Sequence, residues 1–240
     1  MNKVERAIIM AAGKGTRMRP ITNSIPKPLV KIHGVPMIEG VINNLHQQDI
    51  HEIYVVVGYL KEQFQYLEYK YENLHLIDNP YYDTCNNISS LYVARDHLEN
   101  VIILDGDQLI KNNQILSKEF EKSGYNCIYK NKVENEWMLT LNDNNIITSC
   151  SRIGGKNGWQ LYSVSRWSKE DGEKLKKHLE IEFEENKNTD IYWDDVALFC
   201  YPTKYQLSIF PMKENDIVEI DSFGELCEID KSYLKYKMEE

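Results

Sequence analysis

The sequence lacks paired-cysteine motifs. Its five cysteines, Cys85, Cys127, Cys150, Cys200 and Cys227, are scattered and odd in number. Without a CxxC there is no basis for a structural zinc site or a disulfide framework. Reduced thiols and a cytoplasmic location are the expectation. Positive charge is also scarce: 28 Lys and Arg stand against 37 Asp and Glu, a net charge of −9. A nucleic-acid surface should be basic, so that partner class is excluded. Long apolar runs are missing too. The first, Ala7 to Ala12, is too short for a signal peptide or a membrane span. No internal repeat, low-complexity tract or linker interrupts the chain. The balance of 42% hydrophobic and 27% charged residues over 240 positions is that of a soluble globular protein. One domain spanning 1–240 is the simplest account, with a first half to about residue 110 and a second half beyond it. Tyrosine, by contrast, is abundant at 16 residues, and some of these could face a ligand.

One further absence is local. Between Ile8 and Lys31 there is no Asp or Glu, yet Lys14, Arg17, Arg19, Lys27 and Lys31 all fall there. Ile8 to Met10 reads as a buried parallel strand. It breaks into Ala11, Ala12, Gly13, Lys14, Gly15, Thr16 and Arg17. Small residues and two glycines let the backbone pass close to a ligand. A turn of this kind aims several N–H groups at one point and cradles phosphate. The plain alternative is a solvated basic turn. Two familiar phosphate loops do not fit. A P-loop needs Ser or Thr after Gly-Lys, and Gly15 stands there. A dinucleotide fingerprint needs a third glycine where Met18 stands. The pattern that fits is GxGxR followed by Pro26-Lys27-Pro28, which resembles the signature of the sugar-phosphate nucleotidyltransferase superfamily. Prolines on both sides restrict Lys27. A fixed Lys suits a point charge aimed at phosphate, and Arg17 suits a forked contact.

Strands at Ile53–Val57, Leu74–Ile77 and Val101–Leu104 alternate with helical periodicity at Met37–Gln48, Tyr59–Tyr71 and Asn86–Leu98. This predicts an α/β fold with a doubly wound, mostly parallel sheet. Ligands then sit beyond the carboxyl ends of the strands. After Asp107 the pattern changes. A short helix is expected over Ile115–Phe120. Strands follow at Tyr125–Tyr129, Trp137–Leu141, Ile146–Cys150 and Leu161–Val164, with a glycine-rich loop over Ile153–Trp159. Ser168 should cap a helix over Lys169–Glu185. Tyr192–Tyr201 reads as helical, Gln206–Phe210 and Ile217–Ile220 as strands, and the tail from Phe223 as a closing helix. An inserted antiparallel substrate region is implied.

Asp105-Gly106-Asp107 follows an apolar strand. Two carboxylates two apart on extended chain point the same way, and the glycine between them leaves room for a ligand. Carboxylates with phosphates and water are the usual Mg²⁺ environment. The alternative is a hydrogen-bonded turn. Asp221 ends a second apolar strand and could be the other metal ligand, or the cap of the helix that follows.

Further segments sharpen the resemblance. Val57 to Phe64, Asn86-Asn87, Ser90-Leu91-Tyr92, Asp105-Gly106-Asp107, Asn135-Glu136-Trp137, Tyr192-Trp193-Asp194 and Glu219-Ile220-Asp221-Ser222 stand in the order found in bacterial LicC-type CTP:phosphocholine cytidylyltransferases. The similarity covers nearly the whole chain. It implies that backbone around Ala11, Ala12, Gly13, Lys14, Gly15 and Thr16 holds the nucleotide. Asn86, Asn87, Ser90 and Asp105 would lie near it. Arg17 would hold the leaving pyrophosphate and Lys27 the reacting phosphates, with Mg²⁺ on Asp107 and Asp221. CTP and a small phosphorylated amino-alcohol are the implied partners. No general base is required, because the attacking phosphate oxygen is already an anion.

The aromatic residues argue for choline. A quaternary ammonium has no N–H to donate, and aromatic faces can hold it at about 0.5–2 kcal/mol per contact. Tyr129, Trp137, Tyr192 and Trp193 are the candidate faces, with Glu136 and Asp194 as candidate charges. The competing reading is that such residues are core. Arg166 departs from the family pattern, where an apolar residue is expected. It should be either solvent-exposed or directed at another anionic group of the substrate. Three alternatives remain open at this level. The acceptor could be 2-aminoethylphosphonate or phosphoethanolamine, or the chain could be a non-catalytic nucleotide-binding module. A hexose 1-phosphate acceptor fits less well, because the chain is short for that branch.

Overall fold

The apolar runs become the strands of one sheet. In this computed structural model, which describes residues 1–238, β1 (Arg6–Ala11), β2 (Glu52–Val57), β3 (Leu74–Asp78) and β4 (Val101–Asp105) are parallel, in the order β4-β1-β2-β3. Alternation along β1 shows how they sit. Ala7, Ile9 and Ala11 enter the core on one face, and Ile8 and Met10 enter it on the other. Period-2 geometry requires this, and burial of both faces explains the unbroken apolar runs. Helices α1 (Met37–Gln47) and α2 (Tyr66–Lys70) cover the first face through Ile38, Val41, Ile42, Leu45 and Leu67. On the second face lie α3 (Ile88–Val93), through Leu91, and α4 (Lys169–Glu180), through Leu175 and Leu179. This is the doubly wound, mostly parallel arrangement that the strand–helix alternation predicts. No helix among the described residues is long and apolar enough to cross a membrane.

The second half adds β5 (Gln108–Ile110), β6 (Gly124–Lys130), β7 (Met138–Leu141), β8 (Ile147–Ser151), β9 (Gly158–Trp167), β10 (Ser208–Pro211) and β11 (Ile217–Glu219). Most of the insertion is antiparallel, as expected, and β6 to β10 join the same sheet, where β10 lies parallel to β6; β5 and β11 pair with each other as a separate antiparallel ribbon. One edge of the long strand β9 pairs with β6 from Gly158 to Arg166. Its other edge pairs with β4 over Val164–Trp167 and with β7 at Trp159 and Gln160. Between these two pairings, Leu161 to Ser163 lie where the sheet divides. The carboxyl end of β4, with Asp105, opens into that division. After α5 (Trp193–Asp195), the chain returns through α6 (Phe223–Ile229). Leu226 of α6 and Ile220 join Met18, Ile21 and Met37 in a third apolar cluster. The closing helix therefore buttresses the glycine loop from beneath.

Several elements differ from expectation. Strand β9 extends well beyond Leu161–Val164 and takes Trp159 out of the expected loop. In place of a helix over Ile115–Phe120, a 3-10 turn runs from Asn113 to Leu116, and Glu119–Phe120 pairs with Asn2–Lys3. The Asn112 side chain accepts the Gln114 amide and starts that turn, which supplies the local bond a longer helix would otherwise make. The expected helix over Tyr59–Tyr71 is broken at its start by Leu60, whose φ is 50°. The expected helix over Asn86–Leu98 shortens to α3 and a 3-10 turn at Arg95–His97. Ser168 does cap α4, accepting the Asp171 amide at 3.2 Å, but regular helix ends at Glu180 and continues as a wider turn to Glu185.

Arg166 is not exposed, and its donors are taken up by the protein itself. It is 2% exposed. Its guanidinium donates to Ser117 O at 2.8 Å, Ile115 O at 2.6 Å and Asn126 Oδ1 at 2.8 Å, and lies 4.4 Å from the Phe210 ring. Burial pulls its pKa down to about 10, which still leaves it charged at neutral pH. It holds the 113–117 turn against the sheet. Arg166→Ala leaves those acceptors unpaired and is expected to cost about 2–4 kcal/mol of stability. The KM values for the CTP and acceptor that the resemblance implies should stay within twofold. Denaturant unfolding together with steady-state kinetics checks this, and a raised acceptor KM at unchanged stability would return Arg166 to the substrate.

Candidate active site

The glycine loop is shaped by contact with Lys27. Gly15 has φ +59°, and a Cβ there would stand 2.8 Å from Lys27 Cβ, so glycine is required by both conformation and space. Gly13 faces open space. Thr22 Oγ1 donates to Gly15 O at 2.8 Å, and the Tyr59 amide to Ala12 O at 3.0 Å. These bonds fix the carbonyls and leave the amides free. Among the described residues, the amides of Gly13, Lys14, Gly15 and Thr16 have no protein acceptor. A run of unpaired amides is what an anion cradle needs. Ala11 and Ala12 are buried below it. Lys14 pairs with Asp83 across the rim.

Lys27 is 9% exposed. Its Nζ lies 2.5 Å from Asp107 and 2.9 Å from Asp221, and Arg17 reaches Asp221 at 3.0 Å. Burial works against the ammonium, but the charge and hydrogen bonds of Asp107 and Asp221 outweigh it and leave its pKa raised. Asp221 is free for this because it is not the helix cap. Ser222 accepts the Glu225 amide and caps α6, and Glu225 Oε2 accepts the Ser222 amide in return. Gly106 has a different role from the one expected. A Cβ there would meet Ile9 and Pro28 at 3.2 Å, so it lets β4 pack on the Pro26-Lys27-Pro28 turn rather than leaving room for a ligand. Asp107 and Asp221 thus converge on a single cation. No cluster of three His, Cys, Asp or Glu with metal-binding geometry occurs among the described residues. A divalent ion here would take two protein carboxylates and complete its shell with water and phosphate oxygens, which is the usual habit of Mg²⁺. The donor set fits that ion.

A cleft of about 280 Å³ continues from this node into the division of the sheet. Asp105, Asp107, Glu136, Asp194, Glu219 and Asp221 contribute carboxylates to it, against Arg17 alone among its lining cations. Burial, reinforced by the charges of Asp107 and Glu219, raises the Asp105 pKa well above the carboxylate range, while a bond with Ser163 works the other way. Burial pushes both Asp194 and Glu219 up to about 7. Gln108 Nε2 holds Glu219 at 3.0 Å. Burial thus favours the protonated form of these carboxyls, and a cation placed among them would draw them back to the ionised form, so the cleft is suited to a cation.

Two of the four candidate aromatic residues line this cleft. Trp137 and Tyr192 meet edge to face, with ring centroids 5.6 Å apart at 87°. Trp193 does not line it. It is 3% exposed and packs on Tyr125 and Trp167 in the core, and its amide donates to Asn87 Oδ1 at 2.9 Å. A one-residue advance into α5 has turned it inward. Tyr129 lies outside the cleft as well, half-exposed at the far end of β6 against Trp159. Glu136 and Asp194 are both in the lining. On the nucleotide side, Asn87 reaches the cleft, whereas Asn86 donates to Asp190 O at 3.1 Å. Ser90 is buried, and its hydroxyl accepts from Asn79, which gives it a structural task. Sequence reading missed Glu219, Leu161 and Ser163. A signal for Glu219 was present: it stands two residues before Asp221 on an apolar strand, the same spacing as Asp105 and Asp107.

Comparison with known proteins agrees with this geometry. The MobA-like NTP transferase domain family matches residues 7–169. A 2-aminoethylphosphonate cytidylyltransferase of Lancefieldella rimae is 38% identical over 95% of this chain and 93% of its own length. A choline-phosphate cytidylyltransferase of Streptococcus pneumoniae is 34% identical over 90% and 93%. The solved structure of the CTP:phosphocholine cytidylyltransferase LicC from Streptococcus pneumoniae superposes with a TM-score of 0.88 at 33% identity, covering 96% of this chain and 99% of that one.

Proposed function

Since the chain belongs to the MobA-like NTP transferase family, we propose that it transfers CMP from CTP to phosphocholine, giving CDP-choline and pyrophosphate. One observation carries the reading. A single cleft joins the Lys27–Asp107–Asp221 node at the glycine loop to the Trp137–Tyr192 corner among carboxylates. The first part suits phosphates and the second an organic cation. A molecule with both groups spans the two.

The triphosphate lies on the free amides of Gly13 to Thr16, with Arg17 on the outgoing phosphates. Trp137 and Tyr192 present faces to the trimethylammonium, and Asp194, Glu136 and Glu219 supply the opposite charge. This seats the acceptor phosphate against the α-phosphorus. An acceptor oxygen forms the new P–O bond, the bond from the α-phosphorus to the bridging oxygen breaks, and pyrophosphate leaves with that electron pair. Lys27 neutralises charge that grows on the reacting phosphates. Mg²⁺, held by Asp107 and Asp221, would supply further charge neutralisation on the same oxygens. Positioning does the rest.

A second reading keeps the chemistry and replaces the acceptor with 2-aminoethylphosphonate, the substrate named for the Lancefieldella rimae relative. The observation favouring it is the wall itself, which presents two aromatic faces and an excess of carboxylates able to accept N–H bonds from a primary amine. Pyrophosphate release with CTP and each acceptor separates the two. Phosphocholine is expected to give the highest kcat/KM. Trp137→Ala should raise the phosphocholine KM about 5- to 30-fold, the scale of one or two cation–π contacts, with little change in the CTP KM. A higher kcat/KM for 2-aminoethylphosphonate would establish the second reading.

A further inference from the structure

Trp137 and Tyr192 come from separate parts of the chain. Trp137 leads into β7 and Tyr192 into α5, so some group must hold the two rings at their near-right angle. Arg152, directly after β8, touches the supports of both. Its guanidinium carbon lies 5.6 Å from the Trp137 ring centroid and 4.0 Å from that of Phe199. Its Nη2 lies 2.6 Å from Asp195 Oδ1. Asp195 is 1% exposed, and its second oxygen accepts the Tyr192 amide at 2.9 Å. One buried carboxylate therefore binds the guanidinium with one oxygen and the backbone carrying Tyr192 with the other. Stacking and directed donation together suit the planar guanidinium and not an ammonium.

We propose that Arg152 and Asp195 are positioning residues that set the Trp137–Tyr192 corner and so the selectivity for the acceptor's cationic head. This rests on the acceptor reading given above. Arg152 does not line the cleft; it acts through the Trp137 ring and, by way of Asp195, through Tyr192. Its charge is matched by Asp195, so it braces the wall without adding net positive charge beside a site that takes a cation. The neighbouring carboxylates divide the work: Asp195 is committed to the brace, and Asp194 faces the ligand.

Arg152→Ala is expected to raise the acceptor KM about 3- to 30-fold, with kcat and the CTP KM within about twofold. Arg152→Lys keeps a charge opposite Asp195 but cannot stack, and it should restore only part of the affinity. The double variant Arg152→Ala/Trp137→Ala should raise the acceptor KM by less than the product of the two single effects, because part of the work of Arg152 passes through that ring. Near-UV circular dichroism of the unliganded protein should change in Arg152→Ala, and this readout needs no substrate. Additive effects in the double variant would overturn the proposal. So would a matched fall in kcat and both affinities, or an unchanged near-UV spectrum. If Arg152→Ala does not fold, Arg152→Lys carries the same measurements. Should the wild-type protein turn over none of the acceptors, the functional reading fails, while the spectrum still decides the role of Arg152.

Discussion

Asp107→Ala and Asp221→Ala are each expected to lower kcat by about 10³ or more while leaving the protein folded. The magnitude follows from several kcal/mol of charge stabilisation lost at the reacting phosphates, at 1.36 kcal/mol for each tenfold in rate. Folding should survive because Lys27 is bound by both carboxylates, and either one removed leaves it the other. An excess of a metal chelator should abolish wild-type turnover to a similar extent, and added Mg²⁺ should restore it. Full activity in either variant, or turnover indifferent to the chelator, would overturn the assignment of these two residues to a metal. Inactive variants in a chelator-resistant enzyme would instead make them the groups that orient Lys27.

Lys27→Ala comes next in expected effect, with a fall in kcat of about 10²–10³, the usual result of removing one preorganised donor from developing charge. The argument is geometric. Lys27 is nearly buried, flanked by Pro26 and Pro28 and packed against Gly15. It has little freedom to follow a substrate and is best placed to meet charge that appears at a fixed point. Arg17, whose side chain is 71% exposed, can follow the outgoing phosphates, so Arg17→Ala should raise the CTP KM as well as lower kcat. Steady-state kinetics in CTP separates the two residues. A Lys27→Ala variant that changes only the CTP KM would contradict this division.

The parts of the site that were legible in the sequence are those made by contiguous residues. The loop from Ala11 to Arg17, the Pro26-Lys27-Pro28 turn, Asp105-Gly106-Asp107 and Asp221 each carry their chemistry within a few positions, and the strands that aim them are plain apolar runs. The acceptor wall was only half legible, and the reason is specific. Tyr192 and Trp193 are equivalent in composition, yet a short helix opening between them puts one ring in the cleft and the other in the core. Tyr129 follows five buried residues on its strand, and distance along that strand, which periodicity does not report, takes it beyond the cleft. The Arg152–Asp195 brace joins residues 43 positions apart and depends on the third dimension altogether. Arg166 misled for the opposite reason. An arginine in place of an apolar residue suggested solvent exposure or a ligand contact, and the carbonyls that satisfy it come from a turn about 50 residues away.

The measurement closest to the central claim is ³¹P NMR of the protein with CTP, phosphocholine and Mg²⁺. Loss of the CTP and phosphocholine resonances should be matched by growth of a diester pyrophosphate and free pyrophosphate in equal amounts. Orthophosphate as the only product, or pyrophosphate that forms at the same rate without any acceptor, would contradict cytidylyl transfer.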